Sequence, residues 1–117
     1  MSYVDGFVCA VPTEKREVYR QHAAEAAEVF KKYGAQRVVE AWGDDVPDGQ
    51  LTSFPMAVKC QENETVVFSW VMWPSKAARD EGMALFMKDP ICDMTVNPMP
   101  FDGKRLIYGG FEAIVDC

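Results

Sequence analysis

The sequence predicts an α+β domain, and three observations carry the prediction. Strand-like segments rich in β-branched and aromatic residues alternate with helical periodicity in the order β-α-β-β-α-β. One of them, Thr65 to Trp73 (TVVFSWVMW), is almost wholly apolar. The chain has 117 residues, 49% hydrophobic and 26% charged, which suits a single globular domain over 1–117. A four-stranded antiparallel sheet with both helices on one face satisfies this order, the ferredoxin-like arrangement.

The elements follow in order. Tyr3 to Val11 is rich in Val, Phe and Tyr and runs into Pro12, so it reads as a strand. Thr13 offers an N-cap for a helix, with Glu14 in a first turn where the dipole favours negative charge. Tyr19, His22, Ala23, Ala26, Val29, Phe30 and Tyr33 recur at spacings of three and four, an amphipathic stripe. Gly34 stops the helix. Gln36 to Gly43 reads as a second strand, and Asp44 to Gly49 as a polar loop. Thr52 to Cys60 is ambiguous: Phe54-Pro55 interrupts regular structure, while Ala57 to Cys60 suits a strand start. After the third strand, Pro74 and a Ser75 cap introduce a second helix to about Lys88. Its inner face is read as Ala78, Leu85 and Phe86, and Asp89-Pro90 ends it. Residues 90–104 form a long loop, a class that is often functional or serves a partner. Arg105 to Asp116 is the last strand, where Gly109-Gly110 marks a bulge or a close backbone approach.

A sheet with one wet face alternates apolar and polar residues. Thr65 to Trp73 does not: Val67, Ser69, Val71 and Trp73 share one side, Val66, Phe68, Trp70 and Met72 the other. The last strand behaves likewise. Two helices cover one face, and a second copy of the sheet is the simplest cover for the other. Burying four or five large apolar side chains contributes on the order of 10 kcal/mol before entropic costs. The expectation is a homodimer of the dimeric α+β barrel type.

Twelve basic against eighteen acidic residues give a net charge of -6. Nucleic-acid binding relies on a surplus or dense patch of cations, so no nucleic-acid partner is expected. There is no run of 18 apolar residues, and the opening Met1 to Gly6 lacks the features of a secretory signal. No membrane partner is expected. Cys9, Cys60, Cys92 and Cys117 are scattered without a C-x-x-C pair, consistent with free thiols in the cytoplasm.

Four groups of residues together resemble the YbaA-like family of small bacterial proteins: Tyr3-Val4-Asp5-Gly6-Phe7; Glu40 to Gly49 (EAWGDDVPDG); Glu64 to Ser75; and Met99 to Arg105 with Tyr108-Gly109-Gly110-Phe111. The resemblance covers essentially the whole chain. It implies a dimeric α+β barrel and no settled activity. At the level of fold alone, such barrels include cofactor-independent monooxygenases, isomerases, haem enzymes and stress-response proteins.

Candidate chemistry is sparse. His22 is the only histidine, and its stripe points it at the sheet. It reads either as a general base or haem ligand beneath the helices, or as a core or boundary histidine bonded to a neighbour. Glu40 and Glu112 lie inside strands and Asp5 near the start of another. A carboxylate on a doubly buried sheet is either paired, with Arg37 and Arg105 as available partners, or poised to take a proton from a substrate. Trp42, Trp70 and Tyr108, with Trp73, read as the walls of an aromatic ligand pocket or as packing. Asp44, Asp45 and Asp48 miss the EF-hand spacing and read as a turn, so no metal is expected. No phosphate loop, dinucleotide fingerprint, nucleophile elbow or H-E-x-x-H occurs, and no cofactor is expected.

These readings leave three expectations. The first is a dimeric protein without established activity that binds a small, partly apolar ligand. The second is a cofactor-independent enzyme, a monooxygenase or isomerase acting on a small aromatic or dicarbonyl substrate, with catalytic candidates His22, Glu40 and Glu112. The third is an interaction protein docking a partner through residues 90–104. Which strand face looks toward the helices is open at this point.

Overall fold

A computed structural model describes residues 2–117. Strands β1 (Tyr3–Pro12), β2 (Arg37–Trp42), β3 (Glu64–Trp73) and β4 (Ile107–Glu112) form one antiparallel sheet in the order β2-β3-β1-β4. Helices α1 (Arg16–Lys32) and α3 (Lys76–Lys88) are the two long helices, and a single turn, α2 (Phe54–Ala57), lies between β2 and β3. The two central strands are the most apolar, as expected for strands paired on both edges.

Register settles which residues share a face. Asp5 pairs with Val71, Cys9 with Val67 and Glu40 with Ser69. The helix-facing side therefore carries Val67, Ser69, Val71 and Trp73, all buried. Here Cys9, Val11 and Val67 pack against Tyr19 and Ala23 of α1. Val71 and Trp73 pack against Ala35, with Phe30 and Met83 beside them.

The first helix starts later than its sequence suggests. Thr13–Lys15 is a 3-10 turn without a side-chain cap, and the Thr13 hydroxyl instead lies 2.7 Å from that of Thr65. At the other end Gly34 adopts φ of 111°, a left-handed conformation that glycine accepts at no steric cost. Ser75 caps α3 by accepting from the Ala78 amide at 3.1 Å. Leu85 does not belong to the inner face of that helix and is 44% exposed. Gly82 does, because a Cβ there would meet the Trp73 ring and the Tyr33 carbonyl oxygen.

Residues 57–60 do not begin a strand. Ser53 caps α2, and the chain leaves it through Lys59 at φ of 50°. This segment carries Val58 across one end of the outer sheet face, onto Val8, Ala10 and Val66. Phe54 meets Phe68 edge-on at 5.7 Å. Among the described residues the rest of that face is only partly covered: Phe68 is 42% exposed and Phe111 60%. The Phe111 ring lies over Gly6 and Gly109, the one place where two glycines face each other across β1 and β4.

β4 ends at Glu112, short of the expected Asp116, because Tyr3, its partner there, is where β1 begins. Gly109-Gly110 forms no bulge, since pairing with β1 is continuous. It is a close approach: a Cβ on Gly110 would meet the Tyr3 hydroxyl at 2.5 Å and the Arg79 guanidinium at 2.7 Å. The 90–104 loop folds back on the helix-facing core, with Phe101 edge-on to Tyr19 at 5.8 Å. Among the described residues no helix is long and apolar enough to cross a membrane.

Candidate functional site

β2 is an edge strand, and α1 crosses over its helix-facing side. Between them lies a cleft of about 480 Å³. From the strand side Val38, Glu40 and Trp42 enter it, one side chain in two as the pleat requires, with Val67 behind them. From the helix come Ala23, Ala24 and Ala27, whose small side chains leave the space open. Arg16, Tyr19 and Arg20 complete the lining at the N-terminal end of α1.

Glu40 is the polar centre of this cleft. Its Oε1 accepts a hydrogen bond from the Tyr19 hydroxyl at 2.6 Å. Solvent reaches the side chain from the cleft mouth, yet the protein around the carboxyl raises its pKa above the usual value. Hydrogen bonds from Tyr19 and Ser69 pull it partly back. Tyr19 is itself buried, and burial first, then the nearby Glu40 charge, holds its phenol well above the ordinary range. The same burial pushes the Cys9 thiol up to about 12. Tyr19 is therefore a fixed donor at neutral pH, Cys9 a protonated and unreactive thiol, and Glu40 the group able to exchange a proton. Trp42 lies beneath the Arg16 guanidinium, 5.5 Å from its ring centre.

The cleft brings together only part of the expected set. Glu40 and Trp42 line it. His22 is half-buried and does not. On a helix it lies about 60° from Tyr19 on the side away from Ala23. Trp70 belongs to the outer sheet face, one residue out of phase with Ser69 and Val71. Tyr108 and Glu112 face the helix side but stand on β4, three strand spacings from β2, or about 14 Å. Both are exposed, Tyr108 to 76%. Of the two arginines expected to pair with the candidate strand carboxylates, Arg105 pairs elsewhere. Arg105 binds Glu64 through two bonds of 2.7 and 2.6 Å and reaches Asp102 at 3.0 Å.

Tyr19 was visible in the sequence only as one residue of an apolar stripe. Its hydroxyl, placed toward an acidic residue inside a strand, is the signal that marks it. A second constellation, also unforeseen, is structural. Asp5, 3% exposed, accepts from Arg79 Nη2 at 2.9 Å and from Trp73 Nε1 at 2.9 Å. With Tyr3 under the guanidinium at 5.1 Å, this cluster ties α3 to the sheet. No group of three His, Cys, Asp or Glu among the described residues is arranged to hold a metal. A second depression, about 370 Å³, lies beside the Asp44 to Asp48 loop.

Residues 2–103 match the model of a family described as a protein of unknown function, DUF1428. The chain belongs to this family. It is 58% identical over 116 residues, 99% of each chain, to the uncharacterized protein YbaA of Escherichia coli K12. The YbaA protein of Shigella flexneri matches it equally well, 58% identical over 99% of both chains. Two solved structures share the fold. SnoaB, a cofactor-independent oxygenase from Streptomyces nogalater, gives a TM-score of 0.62 at 13% identity, covering 98% of this chain and 95% of its own. A dimeric ferredoxin-like protein from an uncultured marine organism gives 0.64 at 9% identity, covering 99% and 98%. The architecture is ferredoxin-like, and the family carries no established activity.

Proposed function

We propose that the protein is a cytoplasmic homodimer that binds a small, partly apolar molecule in the cleft between α1 and β2. The cleft itself carries this reading: an open space of about 480 Å³ with apolar walls and one carboxyl at its centre. Ligand sites have this build, largely apolar with a few convergent polar groups. The homodimer is supported by the uncovered apolar outer face, with Phe68 and Phe111 exposed on it, and by the fold shared with a dimeric ferredoxin-like protein. The cytoplasmic placement is supported by four unpaired cysteines. Thermal-shift screening of the intact protein against a metabolite library tests the ligand site. Hits that stabilise the native protein and lose their effect in Trp42→Ala support it. Stabilisation that survives Trp42→Ala unchanged places the ligand elsewhere.

One observation favours a second reading, a cofactor-independent enzyme. Glu40 has a pKa raised by burial and is held by a phenol that stays protonated, the disposition of a general base. In that reaction Glu40 takes a proton from the bound substrate, and Tyr19 positions the carboxyl. The fold shared with SnoaB, an oxygenase that works without a cofactor, supports this reading. Turnover of an identified ligand, abolished in Glu40→Gln while binding persists, distinguishes catalysis from binding.

A further inference from the structure

The charges around the cleft are unevenly committed. Arg20 lines the mouth, but its Nε is held by Glu17 at 2.9 Å, on the solvent side of the helix. Arg16 also lines it and stacks on Trp42, and no carboxylate among the described residues lies within ion-pair distance of it. A guanidinium that lines the mouth of a cleft and engages no carboxylate is available to a ligand there. Guanidinium groups recognise carboxylates and other planar anions.

Inside, the opposite preference holds. A carboxylate offers about four acceptor positions, and the Tyr19 hydroxyl occupies one of those on Glu40 at 2.6 Å. The remainder face a ligand hydrogen-bond donor and repel a ligand anion. An acidic ligand is thus oriented, with its anion outward on Arg16 and its donor inward on Glu40. Between these ends the walls are flat. Trp42 gives one aromatic surface, and Ala23 and Ala27, one helical turn apart, give a low apolar floor. Glu40 and Trp42 are two residues apart on one strand face, about 6.6 Å, a span that one six-membered ring with substituents at both ends fills.

We infer that the cleft takes a planar aromatic acid, its ring between Trp42 and the α1 alanines, its carboxylate on Arg16 and a hydroxyl or amino hydrogen on Glu40. This rests on the cleft being the ligand site and names the class of ligand. The test uses the full-length protein and three probes at millimolar concentration, followed by amide shifts in heteronuclear NMR: 4-hydroxybenzoate, the neutral 4-hydroxybenzamide and the non-planar cyclohexanecarboxylate. The expected result is that 4-hydroxybenzoate shifts amides of α1 and β2 and binds about tenfold more tightly than either comparison probe. In Arg16→Gln, a change on an exposed helix position, the advantage over the amide is lost. Equal binding of acid and amide in the cleft overturns the acid inference and leaves the cleft reading standing. Equal binding of the cyclohexane acid overturns the planar part. No shift at α1 and β2 with any probe overturns both the class and the cleft.

Discussion

At the scale of single residues, buried Cys9 and Tyr19 and the solvent-reached Glu40 form one patch at the cleft. Two hold their protons, and the third has its carboxyl pKa raised above the ordinary value by burial. The consequence for stability has a definite sign. A carboxyl whose folded pKa is raised binds more protons folded than unfolded, so stability falls as pH rises from the ordinary carboxylate range through the folded pKa. Glu40 therefore costs stability at neutral pH. Glu40→Gln, which keeps an acceptor for Tyr19, is expected to raise the melting temperature at pH 7–8, about three units above the ordinary glutamate value. The gain should vanish below the carboxylate range, as a pH series of thermal melts would read. Cys9, pushed up to about 12, should resist iodoacetamide in the native state while exposed Cys117 reacts. Mass spectrometry showing Cys9 alkylated before unfolding contradicts its placement. Glu40 and Trp42 were legible as an acid and an aromatic in phase on one strand. His22 was not assignable by the same means, because a helical stripe is wide enough to hold residues that look at different neighbours.

At the scale of elements, the docking of α3 depends on a few contacts. Arg79 and Trp73 satisfy a carboxylate that is otherwise sealed from water. Arg79→Leu leaves that charge without its counter-ion, and removing one partner of a buried pair costs about 3–5 kcal/mol. A urea midpoint lowered accordingly is the expected outcome; a midpoint unchanged from wild type contradicts the clamp. The strands and long helices were legible because their signals are local: Ser75 as a cap, Gly34 as a stop, and the apolar run from Val66 to Trp73. The failures have non-local causes. Ala57 to Cys60 has strand-like residues, but Val58 is used to cover the sheet and a helical turn delivers it there. The last strand is truncated by where its partner starts, which no property of residues 113–116 encodes. Arg79 looked like any surface arginine on a helix, since its partner lies 74 residues away.

At the scale of the whole molecule, the sheet separates two surfaces of different use. One bears helices and the cleft; the other bears α2 and Val58 at one end and open apolar side chains over the remainder. The absence of alternation in β3 announced this in the sequence, though not which face was which, because that depends on the register with β1 and the direction of the crossovers. Phe68 and Phe111 contribute to an interface only if a second copy lies on them, so Phe68→Glu is expected to shift the protein toward monomer without unfolding it. The most direct measurement is sedimentation equilibrium of the unmodified protein at micromolar concentration. The account predicts a particle of twice the 13.2 kDa chain mass, reduced toward one chain by Phe68→Glu. A stable particle of 13.2 kDa for the unmodified chain would contradict it.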